Sequence, residues 1–174
     1  MIVRVIYYKN EEVYIMKMKT GVEQSVYAIL ILSLLPGKAV LPGEVISQQL
    51  GASATYLQKL LRKLVSANLI LSVPGVKGGF RLEKKPEEIR IYDIYLAIEG
   101  QQSLYASKGV VNDLLELEDN EHCCALSMLM KEAEDAWQSV LKKETVASLY
   151  EKIQDEYQPK IQVLQEWVED KMVV

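Results

Sequence analysis

The side chains of this sequence best suited to chemistry are few and adjacent. His122 is its only histidine, and Cys123 and Cys124 are its only cysteines. A thiol beside an imidazole could act as nucleophile and base, as metal ligands, or as a redox pair. Each use meets an obstacle. Residues adjacent in sequence rarely reach nucleophile–base geometry, and three consecutive residues make a poor chelate for one ion. A reactive thiol must also ionise, whereas Glu116, Glu118, Asp119 and Glu121 surround the pair with negative charge and disfavour the thiolate. No Ser-His-Asp, metal-protease or phosphate-loop pattern occurs elsewhere, so no enzyme is expected. Two readings of Cys123 and Cys124 stay open: a thiol-redox switch, or two small residues leading into a buried helix.

A second set of residues is suited to binding. Thr55, Gln58, Lys59, Arg62, Lys63 and Ser66 recur at helical spacing, opposite an apolar stripe of Leu57, Leu60, Leu61, Leu64 and Val65. A phosphate backbone asks for such a face, with short polar donors near the helix start and long cations further along. An ordinary amphipathic surface helix would look much the same, so the neighbourhood has to decide. Residues 44–90 carry eight Lys or Arg against four acids, and residues 91–174 carry seven against seventeen. The net charge of −4 thus hides a basic segment joined to an acidic one, which suggests an anionic partner for the first.

The elements that would position these side chains follow from punctuation and period. Val22, Val26, Ile29, Leu30 and Leu34 mark a helix from Val22 to Leu35, stopped by Pro36-Gly37. Pro42 and Gly43 open a second helix with Val45, Ile46 and Leu50 inward, and Gly51 follows it. Ser53 is placed to cap a third helix, Ala54 to Ala67, by accepting an orphan backbone N–H. Helix, short turn with Gly, helix is the composition of a helix-turn-helix. LILSV then reads as a strand, VPGVKGGFRL (residues 73–82) contains a turn, and GFRLEKK reads as the returning strand. Glycines supply the positive φ values and close approach that such a connection needs. The hairpin projects Lys77, with Arg81, Lys84 and Lys85 on or after the return strand. A helix-turn-helix followed by a basic hairpin is a winged helix. Its recognition helix sits in the major groove and its wing lies along the backbone or minor groove.

Here the residues meet a known pattern. GVKGGFRL followed by PEEIRIYDIYLAIEG, together with SATYLQKLLRKLVSANLI, resembles the Rrf-two family of bacterial winged-helix transcriptional regulators. The shared features are a Gly-Gly-aromatic-x-Leu wing, a Pro-Glu-x-Ile strand, and an Ile-x-x-Ala-Ile-Glu-Gly helix. The resemblance covers about Met18 to Gly100 well and runs more loosely to about Ile153. It implies a dimeric, sequence-specific DNA-binding protein, usually a repressor. Two departures stand out. Pro74 replaces an arginine that the family usually places at the start of the wing, which leaves Lys77 to carry more of the attraction. The family's cluster-binding members use three cysteines in the loop after the Ile-Glu-Gly helix. Here that loop offers only Cys123 and Cys124 beside His122, so no iron–sulfur cluster and no other metal or cofactor is expected.

From Ala125 to Leu141, Leu126, Met130, Ala133, Trp137 and Val140 alternate spacings of four and three, a coiled-coil seam widened by Leu129, Ala136 and Leu141. The resemblance agrees that this helix pairs with its twin across a two-fold axis, which predicts a palindromic site. A last helix is expected from Tyr157 to Met172, opening at Pro159, with Ile161, Leu164, Trp167 and Val168 on one face. Residues 1–15 match nothing in the family. Glu11-Glu12-Val13 can be encoded by a ribosome-binding sequence, so translation starting at Met16 or Met18 is one reading. A strand or hairpin pairing MIVRVIYY with VYIMKM is the other.

The expected molecule is mainly α. It has an extension (1–15), a winged helix-turn-helix domain with a two-stranded wing (16–90), and a linker loop with a long C-terminal dimerisation helix (91–174). Its partners are double-stranded DNA and a second copy of itself, plus an effector that no motif identifies. Phosphate attraction falls to Lys59, Arg62, Lys63, Lys77 and Arg81. Ser53, Ala54, Thr55, Tyr56 and Gln58 lie nearest the base edges. No run of 18 uncharged apolar residues exists, and the first residues lack the apolar core and cleavage site of a secretion signal. No membrane contact is therefore expected, and the cytoplasm is the default. An adaptor that uses the winged helix to bind proteins is the alternative function.

Overall fold

The computed structural model describes residues 19–101, 103, 105–116 and 125–174. The amino-terminal extension and the His122-Cys123-Cys124 triplet lie outside them. Helix α1 (Thr20–Ser33) is the hub, buried around most of its circumference from Val22 to Leu32. Its one buried hydroxyl, on Ser25, donates to the Gly21 carbonyl at 2.7 Å, while the side-chain oxygen of Gln24 beside it is buried without a hydrogen-bond partner. Helix α3 (Ala54–Ser66) packs beside it and helix α2 (Gly43–Gln49) packs on α3, the two joined by a turn in which Gly51 takes a φ of 60°. Leu57, Leu60, Leu61 and Leu64 are buried, as the amphipathic pattern requires, while Val65 is half-buried.

Strands β1 (Ile70–Val73) and β2 (Gly79–Leu82) form an antiparallel hairpin in the register Ile70↔Leu82 to Val73↔Gly79. Its glycines have distinct reasons. Gly75, in the tip, has a φ of 115°, which a side chain tolerates poorly. Gly78 and Gly79 are there for close approach. A Cβ on Gly78 would lie 2.3 Å from the Val73 carbonyl oxygen, and one on Gly79 would lie 2.6 Å from that of Leu41. The second approach exists because Leu41 and Phe80 exchange both backbone hydrogen bonds, at 2.9 Å each. Val40, one residue earlier, makes the same double exchange with Val173 near the other end of the chain.

The Pro-Glu-x-Ile stretch expected as a strand is a single 3-10 turn, Pro86–Glu88. Pro86 has no N–H to give a ladder, and the Glu88 carboxylate accepts the Lys85 N–H at 3.1 Å, which tightens the chain locally. Helix α4 (Ile91–Glu99) buries Ile91, Ile94 and Ile98 and ends at Gly100, whose φ is 77°. After a short α5 (Val110–Leu115) comes α6 (Ala125–Lys143), none of whose residues is fully buried.

The last helix, α7 (Val146–Lys171), starts well before Tyr157. Thr145 caps it, accepting the Ser148 N–H at 3.1 Å while the Ser148 hydroxyl accepts the Thr145 N–H at 2.9 Å. Pro159 marks a kink rather than a beginning. It cannot donate to the Asp155 carbonyl, and Tyr157 takes non-helical angles of −129° and 34°. Beyond the kink, Ile161 and Val168 are buried, and α7 runs back against α1 and the 3-10 turn. A single core therefore runs from Val22 to Val168.

Candidate nucleic-acid interface

The exposed surface of α3 begins at its cap. Ser53 accepts the Tyr56 N–H at 3.3 Å, and Ser53, Ala54 and Thr55 all stand in solvent at the helix start. Lys59 and Arg62 follow on the same exposed face. The helix start and one cationic turn thus form a continuous polar surface, of the kind that lies in a groove with its N-terminal residues at the base edges.

Other expected contacts have second employment. The Tyr56 hydroxyl lies along the start of α1, 2.7 Å from where a Cβ on Gly21 would stand. Gln58 is half-buried, with its carbonyl oxygen 3.2 Å from the equivalent point on Gly43 of α2. Lys63 is exposed, yet its ammonium donates to the Ile98 carbonyl of α4 at 2.6 Å. Arg81 is half-buried and lines a shallow cleft with Leu32, Ser33 and Gly37, away from the hairpin tip. At that tip Lys77 is exposed, and beside it Val76 is wholly exposed. Nothing in the sequence marked Lys63 as a cap for α4, because the acceptor is a backbone carbonyl and carries no residue signature.

The expected seam of α6 divides in two. Trp137 meets the Tyr95 ring of α4 edge-on at 4.8 Å, and Met130 is half-buried. Leu126, Ala133 and Val140 are exposed, joined by Leu129 and Ala136. The outward stripe is therefore 126, 129, 133, 136 and 140, one position round from the expected one. It keeps the alternation of three and four that a paired helix needs.

Comparison with known proteins agrees with this geometry. The family model Rrf2, described as an iron-dependent transcriptional regulator, matches residues 18–152. YwgB of Bacillus subtilis, provisionally named an HTH-type transcriptional regulator, is 41% identical over 88% of this chain and 95% of its own length. YffB of Lactococcus lactis, provisionally named in the same way, is 33% identical over 89% and 99%. Among solved structures, CymR, the global cysteine regulator of B. subtilis, superposes with a TM-score of 0.62 at 27% identity, covering 79% of this chain and 98% of that one.

The family description names iron, and the chain's thiols and imidazole lie outside the described residues. Among the described residues no group of three His, Cys, Asp or Glu is placed to hold a metal ion. The chain's only thiols and only imidazole are three consecutive residues, short of the several thiolates that hold an iron–sulfur cluster. What the match and the geometry share is the capped recognition helix with its glycine-built wing, and on both grounds the chain belongs to the Rrf2 family of DNA-binding transcriptional regulators.

Proposed function

We propose that this regulator is a homodimeric repressor that occupies a palindromic operator. The observation that carries the reading is the exposed stripe on α6. Leu126, Leu129 and Val140 are each more than half exposed at coiled-coil spacing, on a helix with no fully buried residue. A second copy of the same helix is the partner whose spacing matches by symmetry. Pairing there sets two α3 helices one DNA turn or a multiple apart, and a palindrome follows. Lys59, Arg62 and Lys77 then supply phosphate attraction, and Ser53, Ala54 and Thr55 stand nearest the bases. The protein works in the cytoplasm by occupancy rather than turnover, with no resident cluster, because its donor set suits none.

The test is fluorescence anisotropy with a duplex that the protein itself selects from a random library, against a scrambled duplex, at several salt concentrations. Tight binding to the selected palindrome, in a complex containing two chains, supports the reading. Equal, weak binding to both duplexes raises the adaptor alternative. In the same assay, Lys59→Met and Arg62→Met should each weaken selected and scrambled duplexes alike. Each should flatten the slope of log K against log salt by about 0.9 for every phosphate the variant leaves unneutralised. An unchanged slope would remove these side chains from the phosphate contacts.

A further inference from the structure

Helix α4 joins the parts of this protein that have to agree. On one side Lys63 of α3 donates to the Ile98 carbonyl at 2.6 Å. On another, Tyr95 packs edge-on against Trp137 of α6 at 4.8 Å, and the Ile91 N–H donates to the Glu144 carbonyl at 2.9 Å where α6 ends. Lys142 of α6 lies 4.5 Å over the Tyr92 ring, on the same aromatic row. At its carboxyl end α4 stops at Gly100. Glu99 beside it is paired with Lys19 at the start of α1.

The Ile98 carbonyl is in the last turn of α4, where carbonyls have no partner within the helix and the negative end of the helix dipole is concentrated. A cation is the partner such a group favours. Lys63 supplies one from the face of α3 that also carries Lys59 and Arg62. If Lys63 turned to a phosphate, it would leave the Ile98 carbonyl without that partner, whereas Lys59 and Arg62 can take phosphates at no such cost.

We propose that Lys63 is a positioning residue. It stays on the Ile98 carbonyl when DNA is bound, and it ties the pitch of the recognition helix to the end of α4 and, through Tyr95 and Trp137, to α6. The inference rests on the operator-binding reading above.

The experiment compares Lys63→Met with Lys59→Met in the full chain, using the selected and scrambled duplexes. Lys63→Met is expected to reduce discrimination between them by roughly 2- to 30-fold, the range typical of residues that couple two sites, with the salt slope unchanged. A slope that falls as it does for Lys59→Met would make Lys63 a phosphate contact and overturn the proposal. So would an unchanged discrimination ratio. Gly100→Ala, which strains the carboxyl cap of α4, should alter affinity in the native background and add nothing further in the Lys63→Met background. Additive effects would break the link to the end of α4. If the native protein selects no duplex, the operator reading fails. Hydrogen exchange at the end of α4 then decides the contact without DNA: faster exchange in Lys63→Met upholds it, and unchanged exchange overturns it.

Discussion

Leu129→Asp leaves a folded chain that no longer pairs, and its affinity for a palindromic duplex falls by two orders of magnitude or more. The expectation follows from where the side chain sits. Leu129 is 60% exposed on α6, so the charge costs the single chain almost nothing. Across a two-fold axis the same substitution brings two carboxylates into one apolar seam, where each must be stripped of water without a partner. Pairing then fails, and with it the gain from tethering two half-sites, which is commonly about 100- to 10,000-fold. Light scattering should report the mass of one chain, and the circular dichroism spectrum should match the native one. A variant that still weighs two chains would move the interface off this stripe. Trp137→Ala is the informative contrast. That residue is engaged by Tyr95, so its removal should loosen α6 from α4 before it affects pairing.

Gly79→Ala strikes the wing from within. Its new methyl would stand 2.6 Å from the Leu41 carbonyl oxygen and 2.7 Å from the carbonyl carbon. Both are backbone atoms, and the backbone there is fixed by the paired bonds between Leu41 and Phe80. Neither side can yield without opening those bonds. Overpacking of this kind costs about 1–3 kcal/mol, or roughly 3–10 °C in Tm for a chain of this size. DNA affinity should fall further than the reduced stability explains, because β2 carries the wing. Gly37→Ala makes a useful contrast: it carries the penalty of a positive φ, at 54°, which Gly79 does not, and it meets open space. A Gly79→Ala protein that melts and binds like the native one would mean the wing does not depend on this contact.

The parts of the fold legible in the sequence were those governed by local chemistry. The Ser53 cap, the buried leucines of α3 and the hairpin turn around Gly75 and Gly78 each rest on residues within one turn or one strand pair. The illegible parts were decided from far away. Apolar residues on α6 fill two overlapping stripes, and period cannot say which one faces out. Tyr95 settles it by claiming Trp137, from a helix about forty residues earlier. The bond from Lys63 to α4 was equally hidden, because its acceptor is a backbone atom in another helix. Pro159 read as a helix start because proline favours that position, yet the Thr145 cap had already started α7. At Pro86 the error ran the other way: the isoleucine that suggested a strand is buried behind a 3-10 turn.

The bridge between Val40 and Val173 gives the far end of the chain a share in aiming the hairpin. Hydrogen bonds run from Val173 to Val40, from the adjoining Leu41 to Phe80, and from β2 to β1. Residues remote in sequence thus lie side by side in one narrow ladder, with Val173 on one outer side and β1 on the other. Loss of the Val173 bonds would therefore be expected to reach the hairpin through Val40 and Leu41, without any change in the hairpin's own residues.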